Sequence, residues 1–139
     1  MSDACEPGEA GEPAPLTDPE EMLFRQVHPT FFDGEPTSQA FRPNSGDDGK
    51  MSVDRGTKTT AREAFVRYRQ VHDSIGTWGL TVGEIGGVEL NAVPDCLPEN
   101  DAHTFVDFRE LSPSQCKSKS KELRRMAVER SCLYRPAQS

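Results

Sequence analysis

Aromatic residues are scarce: seven phenylalanines, two tyrosines and one tryptophan in 139 residues. With hydrophobic side chains at 34% of the chain, the core has to be small. A chain of this length fits one domain. No apolar stretch is long enough to span a bilayer, and none has the character of a signal-peptide core. That pattern points to a cytoplasmic protein with no membrane contact. The four cysteines, Cys5, Cys96, Cys116 and Cys132, form no CxxC or other ligand spacing. Structural zinc is therefore not expected, and reduced, mostly buried thiols are.

Catalytic signatures are missing as well. The chain has no GxSxG elbow, no phosphate loop ending in Gly-Lys-Ser/Thr, no GxGxxG, no metal-binding histidine helix and no paired HxT motifs. Neither a metal nor a cofactor is implied. Internal repeats and heptads are also lacking.

Charge is present but uneven. Residues 1–21 hold seven acids and no Lys or Arg, whereas residues 112–139 hold seven bases against Glu122 and Glu129. The whole chain carries −7. An acidic body repels phosphates, so nucleic acid is a less favoured partner than protein. Residues 1–21, rich in proline and acid, are expected to form a disordered tail, since they bury too little to offset ordering entropy. Residues 22–135 are expected to form the domain, followed by a disordered end at 136–139.

Within that unit, loose alternation over Met22–His28 predicts a strand closed by Pro29. Asp33-Gly34 is a turn signal, Thr37–Phe41 a short strand, and Pro43–Gly49 a polar loop. Lys50–Arg55 is a third strand, with Met51 and Val53 on one face and Ser52 and Asp54 on the other. Thr60 to Glu63 has the form of a capping box, and helical spacing of apolar residues continues to Ile75, before Gly76. Trp78–Ile85 predicts a strand, Gly86-Gly87 a turn and Val88–Val93 its partner. His103–Phe108 is a further strand. Ser112 to Gln115 is a second capping box, with proline at the first helical position, opening a helix to about Arg130. Leu133 and Tyr134 are expected to dock back onto the core. The resulting class is α+β: a small, mostly antiparallel sheet with two helices, about 61–75 and 113–130.

Chemistry is densest between Phe24 and Arg55. His28 ends a strand and is the candidate acid/base, with Ser38, Ser52 and Asp54 as companions in a phosphodiester or acyl-transfer cluster. His103 is the second strand histidine, with Asp101 and Asp107 nearby; His72 is expected to pack. Arg42 and Arg55 flank the polar loop and are the candidate grip on a phosphate or carboxylate, beside Lys50 and Arg25. Phe31 and Phe32 sit at a turn and cannot both point inward, which makes an exposed ring there a partner contact. Lys117, Lys121 and Arg125 on the basic helix are candidate contacts to an acidic protein or to phosphates.

The runs FRQVHPTFF, TSQAF, MSVDRG and HTFVDF, with a lysine-rich last helix ending in Leu-Tyr, resemble a group of short uncharacterised bacterial proteins. The resemblance spans nearly all of the chain after the tail. It implies a bacterial origin and a unit at 22–135, and brings no activity and no site residues. Three functions are weighed. The first is an accessory or regulatory protein acting through another protein. The second is a small enzyme on a phosphate-containing or nucleotide substrate, with His28 as acid/base. The third is a nucleic-acid accessory protein using the basic helix.

Overall fold

The computed structural model describes residues 13–44 and 46–136. They form an antiparallel sheet of five strands, in the order β3-β1-β2-β5-β4, with helices on both faces. This is the expected α+β class. The strands are β1 (Met22–Val27), β2 (Lys50–Arg55), β3 (Gly76–Thr81), β4 (Ala92–Pro94) and β5 (His103–Asp107). The helices are α1 (Ala61–Tyr68), α2 (Val82–Gly87) and α3 (Pro113–Arg130), with 3₁₀ turns at Pro29–Phe31 and Ser38–Phe41.

Alternation along the strands sorts the side chains. One face collects Leu23, Val27, Met51, Val53, Leu80 and Val106, and packs on Val82 and Ile85 of α2 and on Leu123 and Ala127 of α3. The opposite face carries Phe24, Gln26, Ser52, Asp54, His103 and Phe105. Helix α1 covers the β1–β3 half of that face. Thr77 Oγ1 donates to Ala61 O (3.1 Å) and accepts from Gln26 Nε2 (2.8 Å). Phe65 packs at 5.3 Å, tilted, against Tyr134, which bridges to the β3 edge at Thr77. Leu133 donates to Thr77 O there, so the C-terminal segment does dock back.

Four local expectations change. The helix from Ala61 stops at Tyr68, not Ile75. Past that end the chain turns, and the buried Ser74 hydroxyl donates to Gln26 Oε1 and accepts from Gly76 N, which fixes the chain where it enters β3. The strand expected over Thr37–Phe41 is instead the 3₁₀ turn Ser38–Phe41, with Thr37 as its N-cap. Consecutive Ala40 and Phe41 are both buried, whereas a strand would send them to opposite faces. The strand at Trp78 ends at Thr81, and the glycine-rich GEIGG is helix α2 and not a turn. The partner expected over Val88–Val93 shrinks to β4, which pairs with β5 and not with β3, because α2 carries the chain from one sheet edge to the other. Thr81 and Glu84 form a full capping box, and Arg130 holds Glu84 through two bonds of 2.8 and 2.9 Å. Finally, Cys96 is disulfide-bonded, whereas Cys116 and Cys132 are free and half-buried. Sequence spacing reveals only pairings between near neighbours, so a bond made through space stays hidden.

Helix α3 matches its expected bounds, and Ser112 and Gln115 make both capping bonds. Much of the expected leader lies outside the described residues, as do residues 137–139. Leu16, however, donates to Ala92 O and packs on the core, and Glu21 is buried. Among the described residues no helix is long and apolar enough to cross a membrane.

Candidate functional site

Helix α1 has only eight residues, too few to roof the whole sheet face. Over β2 and β5 the face is left open, and a cleft of about 290 Å³ lies there. Its floor is Phe24, Ser52, Asp54 and His103. Arg67, Tyr68, Val71 and His72, at the end of α1 and in the turn after it, form one wall. Leu97, Glu99 and Asn100, in the loop before β5, form the other.

The sheet is interrupted next to the floor. Strands β1 and β2 pair only at Leu23–Arg55 and Phe24–Asp54. Beyond that point the strands part, and the buried guanidinium of Arg25 fills the gap. It donates to Ala40 O at 2.7 Å, Ser52 O at 2.9 Å and Arg42 O at 3.5 Å. Burial pushes its pKa down, opposed by the charges of Tyr68 and Asp47. Arg25 is thus fastened to backbone carbonyls and serves the architecture.

Asp54 faces His103 across the β2–β5 ladder and is buried. Burial holds its carboxyl above the ordinary aspartate range, against the Asn100 hydrogen bond and the charges of His103 and Arg67. Asn100 Nδ2 donates to Asp54 Oδ1 at 2.9 Å, and Asn100 Oδ1 accepts from Arg67 Nη1 at 3.1 Å. The amide therefore joins a strand acid to a helix cation.

His103 Nε2 lies 3.2 Å from Ser52 Oγ. Its Nδ1 lies 3.0 Å from the Asp95 carbonyl and 3.3 Å from the Asp95 carboxylate. A carbonyl only accepts, so in the neutral ring the proton sits on Nδ1 and Nε2 presents its lone pair to Ser52.

The predicted site residues divide. Ser52 and Asp54 are brought together in the cleft. His28 is exposed on another part of the surface, where its Nδ1 accepts from Thr30 N at 3.0 Å as the cap of a 3₁₀ turn. Ser38 begins the second 3₁₀ turn, away from the cleft lining. Arg55 is paired with Glu21, through bonds of 2.8 and 3.0 Å, and Arg42 is half-buried beside Arg25. His28, Ser38, Ser52 and Arg55 do not converge.

Phe31 and Phe32 are both half-buried. Phe32 packs on Trp78 at 5.8 Å, under the Arg135 guanidinium at 5.0 Å. On α3, Arg124 binds Glu35 and Pro36 O, Lys119 donates to Val88 O, and Arg125 is flanked by Glu122 and Glu129. Lys117 and Lys121 remain exposed. His72 is exposed at the cleft wall, 4.9 Å from the Tyr68 ring, instead of packed in the core.

Sequence reasoning passed over Arg67, Asn100 and Asp95. For His103 it pointed to Asp107 and Asp101, yet Asp107 is engaged by Arg109 at 2.9 Å. The only signal for Asp95 was its place after Pro94, eight positions before His103, where a short loop returns the chain to the same sheet end. Among the described residues no group of His, Cys, Asp or Glu is placed to hold a metal ion. No protein-family model matches the chain, and neither a curated protein nor a solved structure matches it significantly.

Proposed function

We propose that this protein works through the cleft between α1 and the β2–β5 half of the sheet, by binding a small organic ligand. One observation carries the reading: five polar side chains from four separate segments (Ser52, Asp54, Arg67, Asn100 and His103) converge on one concavity. Its size is near the lower end of small-molecule sites. Phe24, Val71 and Leu97 offer apolar surface for the rest of the ligand. The Phe32 ring and most α3 cations already have internal partners, which leaves the other two candidate surfaces less to offer.

The test is an amide-resolved NMR titration with a library of small acids, amides, esters and alcohols. Shifts should cluster on Arg67, Val71, Leu97, Asn100 and His103. Shifts confined to Phe31–Asp33 or to the start of α3, or no saturable shifts, would sink the reading.

A second reading, interaction with another protein, draws on the rim. Val71 is 79% exposed and Leu97 37% exposed, more apolar surface than a solvated edge needs. On that reading, Val71→Glu abolishes partner binding while fragment shifts at Asn100 and His103 persist.

A further inference from the structure

We infer that Ser52 is a nucleophile, activated by His103, and that the cleft hydrolyses small carboxylic esters. This rests on the ligand-binding reading above and adds a reaction to it. The geometry is a chain of three groups brought from β2, the loop after β4 and β5. Ser52 Oγ is 3.2 Å from His103 Nε2, and His103 Nδ1 is 3.3 Å from the Asp95 carboxylate. Nucleophile, base and orienting acid stand in the order that acyl-transfer chemistry requires, and such constellations are recognised by geometry and role rather than by motif. The 3.0 Å contact from Nδ1 to Asp95 O fixes the same tautomer.

Ser52 is exposed, so an ester can reach it. The hydroxyl lies on the polar floor, beside a wall bearing Arg67. A guanidinium has five N–H donors; Arg67 directs one at Asn100, and on this proposal another meets the developing oxyanion.

The step balances without a co-reactant other than water. Ser52 Oγ attacks the ester carbonyl carbon, and its proton passes to His103 Nε2. The C–O bond to the alcohol breaks, and the alcohol leaves with that proton. Water, deprotonated by His103, then cleaves the acyl-Ser52 bond; the acid departs and Ser52 regains its proton. Ser52 and His103 are the catalytic residues. Asp95 is a positioning residue.

A fluorophosphonate probe tests this directly, since a P–O bond to Ser52 forms as fluoride leaves. Intact-mass and peptide mapping should place the adduct on Ser52 of the folded wild-type chain. His103→Ala should slow labelling by about 100-fold or more, the scale of a positioned general base. Ser52→Ala, which removes only an exposed hydroxyl, should abolish it. Asp95→Asn should slow labelling by about tenfold, because the Asp95 carbonyl still holds the tautomer, and should displace the pH profile of labelling, which a purely structural role would leave in place. Wild-type chain that stays unlabelled, an adduct on another residue, or labelling of Ser52 that is indifferent to His103→Ala overturns the inference. If fragments still bind at Asn100 and His103 in that case, the ester chemistry falls while the ligand reading stands. If fragments bind elsewhere, both fall.

Discussion

Asn100 donates from its amide to the Asp54 carboxylate across 2.9 Å, tying the loop before β5 to the floor strand of the cleft. The carboxyl it holds is buried, and burial outweighs the amide and the charges of His103 and Arg67 in setting its protonation. The native state therefore keeps the Asp54 proton to higher pH than the unfolded chain does.

The sign of its pH effect follows. A raised native pKa means that the folded state binds more protons, so Asp54 costs stability as pH rises from the unfolded aspartate range, about 4, through the native value. Asp54→Asn removes that cost and keeps an acceptor for Asn100. The variant should be the more stable form at pH 7, and its advantage should shrink on acidification. Thermal melts from pH 3 to pH 8 check this; a wild type that gains on the variant as pH rises contradicts it.

Glu21 behaves in the opposite sense. Burial pushes its pKa up, but hydrogen bonds from Arg55 and Thr57 and the Arg55 charge outweigh that, and the net shift is downward. The stabilisation is present above the unfolded glutamate range and is lost as pH falls through the native value. Side-chain exposures of 3% for Glu21 and 14% for Arg55 leave little solvent screening. Glu21→Gln should cost about 2 kcal/mol at pH 7, the scale of charged hydrogen bonds. Urea denaturation should show that difference narrowing below about pH 4.

Arg25→Ala should be more damaging. It removes the donor to Ala40 O and Ser52 O and empties the space where β1 and β2 separate. Stranded buried carbonyls cost about 1–3 kcal/mol each, so a loss of about 3 kcal/mol in the urea midpoint analysis is expected. Amide exchange should quicken first along β2 next to Ser52. A loss under about 0.5 kcal/mol, the level of an ordinary surface change, would show that the guanidinium does not hold the gap.

Gly76 opens β3 beneath the docked C-terminal segment. A Cβ at this position would lie 2.8 Å from Tyr134 O and 2.6 Å from Arg135 Cγ. The flexible arginine can move, but the carbonyl is held, because Tyr134 O accepts from Thr77 N at 2.8 Å. Gly76→Ala should therefore lift Leu133–Arg135 off the edge and cost about 1–3 kcal/mol, the range for overpacking. The readout is loss of the Phe65–Tyr134 ring-current shifts, together with a lower Tm.

Local signals in the chain foretold much of the fold. Lys50–Arg55 has the alternation of a strand and is one. Ser112 with Gln115 has the pattern of a helix start and makes both bonds. The same pattern stood at Thr81 and Glu84, where neighbouring glycines hid it. These features depend on residues two or three apart, so they survive without knowledge of the fold.

The cleft depended on distances that no local pattern encodes. Ser52 and Asp54 were legible as polar positions on one strand face. That Asp54 is buried beside Asn100, and that His103 turns to Asp95 instead of Asp107, was not. Partners such as Asn100 and Asp54 are 46 positions apart, and which pairs meet depends on strand order and on where α1 stops. Sequence by itself determined the alternating faces, the caps and the charge asymmetry, because these follow from backbone periodicity and composition. Tertiary structure alone decided which half of the sheet stays uncovered, since that depends on strand order and on how far α1 reaches, both set by contacts between residues distant in the chain.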